Sequence, residues 1–319
     1  MPDPVRKALS KGDFMSDHEK TTAIVGMGAL GMLYASQISA SLGPDAVFFL
    51  GDRERIDRYS RTPFSINGRP FSFRIQDCAK ALPVDFLIVA VKYGALPSAL
   101  DTMAASIGPD TTIISVMNGI DSEEIIAERF GQEKVLYCIA QGMDAMRFGS
   151  KLTFTRPGTL YLGTRTNGQE SRLKDLTGYF DRAGVSYKVE DNIVKRLWGK
   201  FMLNVGINQT CMAFETDYSG VLAPGKAYNA LIGAMEEVIA LSQKEGVGLS
   251  EEDMAFYINL IKTLSPESVP SMRQDGIARR YSEVEMFSGV VRRLAAKHGL
   301  MVPVNDMLYE KIKEIEAAY

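Results

Sequence analysis

The chain has 319 residues, of which 46% are hydrophobic and 24% charged, and its formal net charge is −3. That balance is that of a folded globular protein of one large or two ordinary domains. It argues against nucleic acid or an anionic membrane surface as a partner, and no apolar run reaches the roughly 18–20 residues of a membrane-spanning helix.

Residues 1–20 are polar, lack the apolar stretch of a signal peptide and read as a flexible leader. Thr21–Val25 is a short β-type run that enters Gly26-Met27-Gly28-Ala29-Leu30-Gly31, and Met32–Leu42 continues as a helix. Ala46–Leu50 is a second buried strand, and Asp52 follows Gly31 by 21 residues. Strand, GxGxxG, helix, strand and acid in that order form a dinucleotide-binding fingerprint. The first glycine permits the turn, the second lets a pyrophosphate approach the backbone, and the third lets helix pack on strand. Asp52 suits an adenosine ribose 2′-hydroxyl and hence NAD, whereas Arg53 and Arg55 suit a 2′-phosphate and hence NADP.

Residues 64–73 alternate about Asn67-Gly68 and read as a hairpin. Asp85–Val91 is a buried parallel-type strand ending at Lys92, Ala95–Ile107 a helix, and Thr111–Val116 a strand ending in Met117-Asn118-Gly119. Helix Ser122–Phe130 and strand Val135–Ala140 follow. Ligands of open α/β sheets lie beyond the carboxyl ends of the strands, which is where Lys92 and Asn118 fall. Lys151–Thr155 and Thr159–Gly163 read as a hairpin about Pro157-Gly158. A helix near Ser171–Ala183 and a strand Val185–Val189 complete an α/β domain over residues 21–190. From residue 191 the period is helical, with helices expected at Asp191–Ala213, Ala227–Glu245, Ser250–Leu264, Ile277–Lys297 and Asn305–Ala317. Residues 191–319 therefore form an all-α second domain.

The first of those helices carries Lys200, Asn204 and Asn208 at intervals of four among Phe201, Met202, Leu203, Val205 and Ile207. At about 100° per residue, positions four apart share a face. Three aligned polar groups on an apolar helix call for a shared ligand or network. A desolvated lysine there loses proton affinity and becomes a proton donor near neutral pH. The chain has only two histidines, His18 in the leader and His298 at a helix end, so acid–base work falls to Lys, Glu, Asp, Tyr or Cys. Cys78, Cys138 and Cys211 have neither metal nor redox spacing and read as free thiols of a cytoplasmic protein, with no metal site. A second polar cluster contains Ser271 and, near the start of an apolar-faced helix, Glu283.

The loop GMGALG, VMNGI at Asn118, LWGKFMLNVGIN at Lys200 and PSMRQDGIARRYSEVE at Ser271 and Glu283 together resemble the ketopantoate reductase (2-dehydropantoate 2-reductase) family, collinearly from Thr21 onward. The resemblance implies an N-terminal Rossmann-type domain, an all-α C-terminal domain and an active site between them. It implies NADPH-dependent reduction of a small 2-oxoacid, 2-dehydropantoate, to (R)-pantoate on the route to coenzyme A, with a homodimer as a candidate assembly. It makes Lys200 the general acid and Glu283 a catalytic neighbour of substrate and cofactor. Asn118 lies at the nicotinamide, Asn204, Asn208 and Ser271 at the substrate, and Gly26–Gly31, Lys92 and Ala145 at the cofactor. Two positions depart from the family pattern. Asp52 stands where an arginine for the 2′-phosphate is expected, with Arg53 next to it, which leaves NAD open. Phe214–Tyr218 lacks a further substrate-contacting asparagine, which leaves open a paralogue that reduces another 2-oxoacid. A non-catalytic redox sensor is the reading from another functional class; Lys200 and Glu283 argue against it.

Overall fold

The computed structural model describes residues 19–319. All but the last two residues of the expected leader lie outside the described residues, His18 among them.

Strand β1 (Thr22–Val25) leads through the glycine loop into α1 (Ala29–Leu42), then β2 (Val47–Gly51) and α2 (Arg53–Ser60). The hairpin β3 (Phe64–Ile66) and β4 (Arg69–Phe71) precedes β5 (Ile75–Asp77) and β6 (Phe86–Val89). There follow α3 (Leu96–Met103), β7 (Thr112–Ser115), α4 (Ser122–Phe130) and β8 (Val135–Met143). Next come β9 (Met146–Phe148), β10 (Lys151–Thr153), β11 (Pro157–Gly163), α5 (Glu170–Ala183) and β12 (Tyr187–Val189). The rest is helical: α6 (Ile193–Ala213), α7 (Tyr218–Leu222), α8 (Lys226–Lys244), α9 (Glu251–Lys262), α10 (Ser271–Ile277), α11 (Ser288–His298) and α12 (Pro303–Glu316).

An eight-stranded sheet in the order β12-β11-β8-β7-β6-β1-β2-β5 forms the centre of the first half. Strands β5-β2-β1-β6-β7-β8 are parallel, and β11 adds antiparallel to β8. The strands are apolar on both faces because helices cover both. Ile24, Phe86 and Ile88 face α1 and α5, whereas Ala23, Val25, Leu87 and Val89 face α3. Chain order reverses between β1 and β6, so the crevice for a ligand opens at the carboxyl ends of these two strands. In the second half, α6 runs through the helical core with α8, α9, α10 and α12 against it, and it also touches β8.

The Asn67-Gly68 hairpin forms, with φ of 49° and 79° at the two turn residues. The expected pairing of 151–155 with 159–163 does not form. Strand β10 joins β3 and β9 in a separate four-stranded sheet, while β11 pairs with β8. Strand β8 runs three residues past the expected Ala140, and Gly158, at φ 74°, packs against Gln141 O and Met143 N. Pro157-Gly158 therefore opens the β8–β11 pairing instead of turning a local hairpin.

The helix expected at 277–297 is divided. Helix α10 ends at Ile277, Arg279 takes φ 51°, and α11 starts only at Ser288. Its start is fixed by α6, since the Ser288 N–H donates to Gln209 Oε1 at 3.0 Å. Glu283 accordingly lies in the connection and not in a helix. Helices α2, α7 and α10 are additions to the sequence reading. The expected Ser250–Asp253 capping box is present at α9.

Candidate active site

The glycine loop is shaped by close approaches. Gly26 has φ 103°, and a side chain there would strike Ala90 O; one on Gly31 would strike Gly26 O. Gly28 differs, because an added Cβ would meet protein only at 3.6 Å, an ordinary contact. The need for glycine at 28 is thus external to the protein, as an approaching pyrophosphate would supply. Helix α1 begins at Ala29 with no side-chain cap and no acid in its first turn. Its free N–H groups suit an anion.

A cleft of about 410 Å³ extends from this loop past Ala90 and Lys92 to Asn118 and Glu283. Gly26, Met27, Gly28, Ala29 and Leu30 form one wall. Arg55 and Tyr59 of α2 and Arg147 of β9 also line it. Arg147 reaches over the loop, donating from Nη1 to Met27 O and from Nε to Gly149 O, the latter at 2.7 Å. Asp52 and Arg53 are not in the lining and both are exposed. Asp52 is the N-cap of α2, its Oδ1 accepting the Arg55 N–H at 2.8 Å. At the adenosine end the Asp52 carboxylate thus holds the helix start, with Oδ2 3.9 Å from Arg55 Nε, and of the two arginines it is Arg55 that lines the cleft. Ala145 also lies outside the lining, half-buried against the core beneath α1.

Lys200, Asn204, Asn208 and Ser271 lie outside the lining as well, but Lys200 adjoins it: its Nζ donates to Asn118 Oδ1 at 3.1 Å and to Ala140 O at 2.7 Å. An ammonium has three N–H donors, so one is left for a ligand. Burial pulls the Lys200 proton affinity down to about 8, opposed by the fields of Cys138 and Glu123. Asn118 is delivered by the turn after β7, where Gly119 takes φ 90°.

Along the same helix face Asn204 is half-buried and Asn208 only 4% exposed. Asn208 donates to Asn204 Oδ1 at 3.2 Å, and its own Oδ1 accepts from Ser271 Oγ and the Met272 N–H, both at 3.2 Å. The Asn208 oxygen thus has two donors, and one of its two amide N–H groups is bonded. Asn208 orients Asn204 and the start of α10 from behind, with Ser271 exposed in front.

Glu283 Oε1 accepts the Tyr93 N–H at 3.2 Å. Burial raises the carboxyl's proton affinity, while Lys92 and the Tyr93 amide lower it. Lys92 is 63% exposed along its side chain, and its Nζ pairs with Asp275 Oδ2 at 2.8 Å. Asp275 Oδ1 is held by Arg280 at 2.8 Å. The α/β half and the helical half are therefore bridged at the cleft by Lys92–Asp275, Tyr93–Glu283 and Asn118–Lys200.

His298 takes no part, being bonded to Glu245 at 2.5 Å. No cluster of three or more metal-ligating side chains occurs among the described residues. No described helix is long and apolar enough to cross a membrane. Arg147 and Tyr59 carried no signal in the sequence, because their place at the loop depends on distant strands.

Residues 22–167 match the family model described as ketopantoate reductase PanE/ApbA, and residues 192–316 the one for its C-terminal part. A 2-dehydropantoate 2-reductase of Streptococcus pyogenes serotype M6 is 22% identical over 305 residues, 92% of this chain and 97% of the relative. That of Salmonella typhimurium is 27% identical over 239 residues, 74% of this chain and 75% of the relative. A solved structure of D-mandelate dehydrogenase with NADH shares the fold with a TM-score of 0.82 at 22% identity, covering 93% of this chain and 99% of that one. A ketopantoate reductase from Ralstonia eutropha JMP134 does so with a TM-score of 0.80 at 20% identity, covering 93% and 99%.

Proposed function

The chain belongs to the ketopantoate reductase family, and we propose that it reduces 2-dehydropantoate to (R)-pantoate with NADPH, in the cytoplasm, on the route to pantothenate and coenzyme A. The observation that carries this reading is the Lys200 ammonium, held by Ala140 and by Asn118, which lines the dinucleotide cleft, with a proton affinity near 8.

The residues present fit a nicotinamide dinucleotide. Gly26–Gly31 and the α1 N-terminus would hold the pyrophosphate, Arg55 the adenosine end, Lys92 the stretch between, and Asn118 the nicotinamide end. When bound, the reduced nicotinamide supplies the hydride. Ser271 and Asn204 bind the oxoacid, with Asn208 keeping both in position. Lys200 Nζ hydrogen-bonds the ketone oxygen through its remaining N–H and gives it the proton as negative charge develops there. Holding that oxygen and orienting the ketone account for most of the acceleration, and the proton transfer adds about 10²–10⁴-fold. Glu283, buried at the same end, orients the substrate hydroxyl or the lysine.

NADPH is preferred over NADH in this reading because Arg55 lines the cleft and offers a cation to a 2′-phosphate, in competition with Asp52 Oδ2 at 3.9 Å. A paralogue reducing another 2-oxoacid is favoured by one feature. Phe214–Tyr218 offers no asparagine, and Asp217 caps α7 through Gly220 N–H at 2.9 Å. Steady-state oxidation of NADPH and NADH across a panel of 2-oxoacids separates the two. The highest kcat/KM for 2-dehydropantoate supports the first reading, and for another oxoacid the second. A dimeric ketopantoate reductase from Staphylococcus aureus shares the fold, and a homodimer is the assembly to test for this chain by light scattering.

A further inference from the structure

Behind Lys200 lies a buried carboxylate that the proposed reaction does not use. Glu123 is 1% exposed in the first turn of α4. Its Oε2 accepts from Ser122 Oγ at 2.8 Å, Ser122 Oγ pairs with Ser115 Oγ at 2.8 Å, and Ser115 Oγ accepts the Met117 N–H at 3.3 Å. This chain of hydrogen bonds ends one residue before Asn118, the first acceptor on Lys200. The carboxylate is also faced by the Cys138 backbone amide. Cys138 lies on β8 beyond the β7–β8 register, which ends at Ile114–Leu136, and two residues before Ala140, the second acceptor on Lys200. Glu123 thus ties together the two segments that hold the ammonium.

We propose that Glu123 is a positioning residue for the reduction: through Ser122 and Ser115 its buried carboxylate fixes the turn that carries Asn118, and it faces the strand that carries Ala140, so that it holds the two acceptors of the Lys200 ammonium in place. The inference rests on the reductase reading of the site.

Two acidic groups act on Lys200, Cys138 and Glu123. Burial pushes the Cys138 thiol above its ordinary range, so it stays protonated near neutrality. Glu123 is the group that ionises there. Loss of water, with a smaller contribution from Asp121, raises its proton affinity to about 7, against the Ser122 hydroxyl and the amides of Glu123 and Cys138. Tyr137, also facing it, is held protonated by burial at about 12. Among the described residues, the other carboxylates less than a tenth exposed, Asp275 and Glu316, have cation partners within 4.0 Å, namely Lys92 and Arg280 for the first and Lys313 for the second. Glu123 has no such contact among the described residues; its field, with that of Cys138, opposes the loss of proton affinity that burial causes at Lys200.

The test titrates Lys200 in the full-length protein by NMR of 13C-labelled lysine Cε, which needs no turnover, with Lys200→Met identifying the resonance. The wild type is expected to show a main step near pH 8 and a smaller inflection near pH 7, when Glu123 ionises. Glu123→Gln should abolish the inflection and lower the main step by about one pH unit. The alkaline limb of kcat/KM should move with it. Glu123→Asp, which keeps a carboxylate, should retain most of the wild-type position. If the glutamine variant leaves the Lys200 step in place, or if both variants shift alike, the proposal is overturned. Should Glu123→Gln not fold, Ser122→Ala serves instead: it removes a donor to the carboxylate and should move the lower inflection upward, and an unmoved inflection overturns the proposal. A wild-type protein that reduces no 2-oxoacid overturns the reductase reading but leaves the NMR titration interpretable, so the two failures are distinct.

Discussion

Replacing Lys200 with methionine removes the ammonium while keeping an unbranched side chain of similar length. In the wild type only the charged amine donates a proton to the ketone oxygen. With a proton affinity near 8, roughly nine-tenths of the enzyme is competent at pH 7 and about one-tenth at pH 9. The kcat/KM for reduction should therefore be level below pH 8 and fall about tenfold per pH unit above it. Lys200→Met loses the proton transfer, about 10²–10⁴-fold, and the charge facing the oxyanion, where removal of one donor typically costs about 10²–10³-fold. The two overlap, so a fall of about 10³-fold or more at pH 7 is expected, without the alkaline limb. Dinucleotide affinity, read from nicotinamide fluorescence, should change little, since the glycine loop and Arg55 hold the other end of the cofactor. A variant that keeps a tenth of the activity, or keeps the alkaline limb, refutes the assignment of Lys200 as proton donor.

Arg55→Ala should reduce the preference for NADPH over NADH at least tenfold, whereas Asp52→Ala should chiefly loosen α2, costing about 1 kcal/mol by denaturant titration. Asn208→Ala removes the amide that joins Asn204, Ser271 and Met272. It should cost about 1–3 kcal/mol in stability and raise the KM for the oxoacid without altering that for the cofactor. Ser250→Ala breaks the capping box of α9 and should lower stability by about 1 kcal/mol with unchanged kinetics; a kinetic effect would show that α9 communicates with the site.

What the sequence made legible was local. The glycine loop, the Asn67-Gly68 hairpin, the Ser250 capping box and the Lys200–Asn204–Asn208 stripe each depend on spacings within a single element, and each appears in the fold. What it concealed depends on distant partners. Strand β11 leaves β10 because the extended β8 offers it a longer antiparallel edge. The break before α11 follows from a Gln209 side chain 79 residues away. Arg147 reaches Met27 across 120 residues, and Lys92 meets Asp275 across 183. Asp52 shows how one short carboxylate suits both a ribose hydroxyl and a helix N-cap; the cap role depends on α2, which the sequence reading did not include. Asn208 sits on the expected face, but its bonds to Asn204, Ser271 and Met272 could not be read from the sequence, since Ser271 and Met272 lie more than 60 residues away.

The most direct measurement of the central claim is a single turnover. Enzyme preloaded with NADPH is mixed with excess 2-dehydropantoate at pH 7, and absorbance at 340 nm is followed with product analysis. Loss of the nicotinamide absorbance, stoichiometric with (R)-pantoate formed and slowed by Lys200→Met, is the expected result. Bound NADPH that persists unchanged, with this and every other 2-oxoacid, would contradict it.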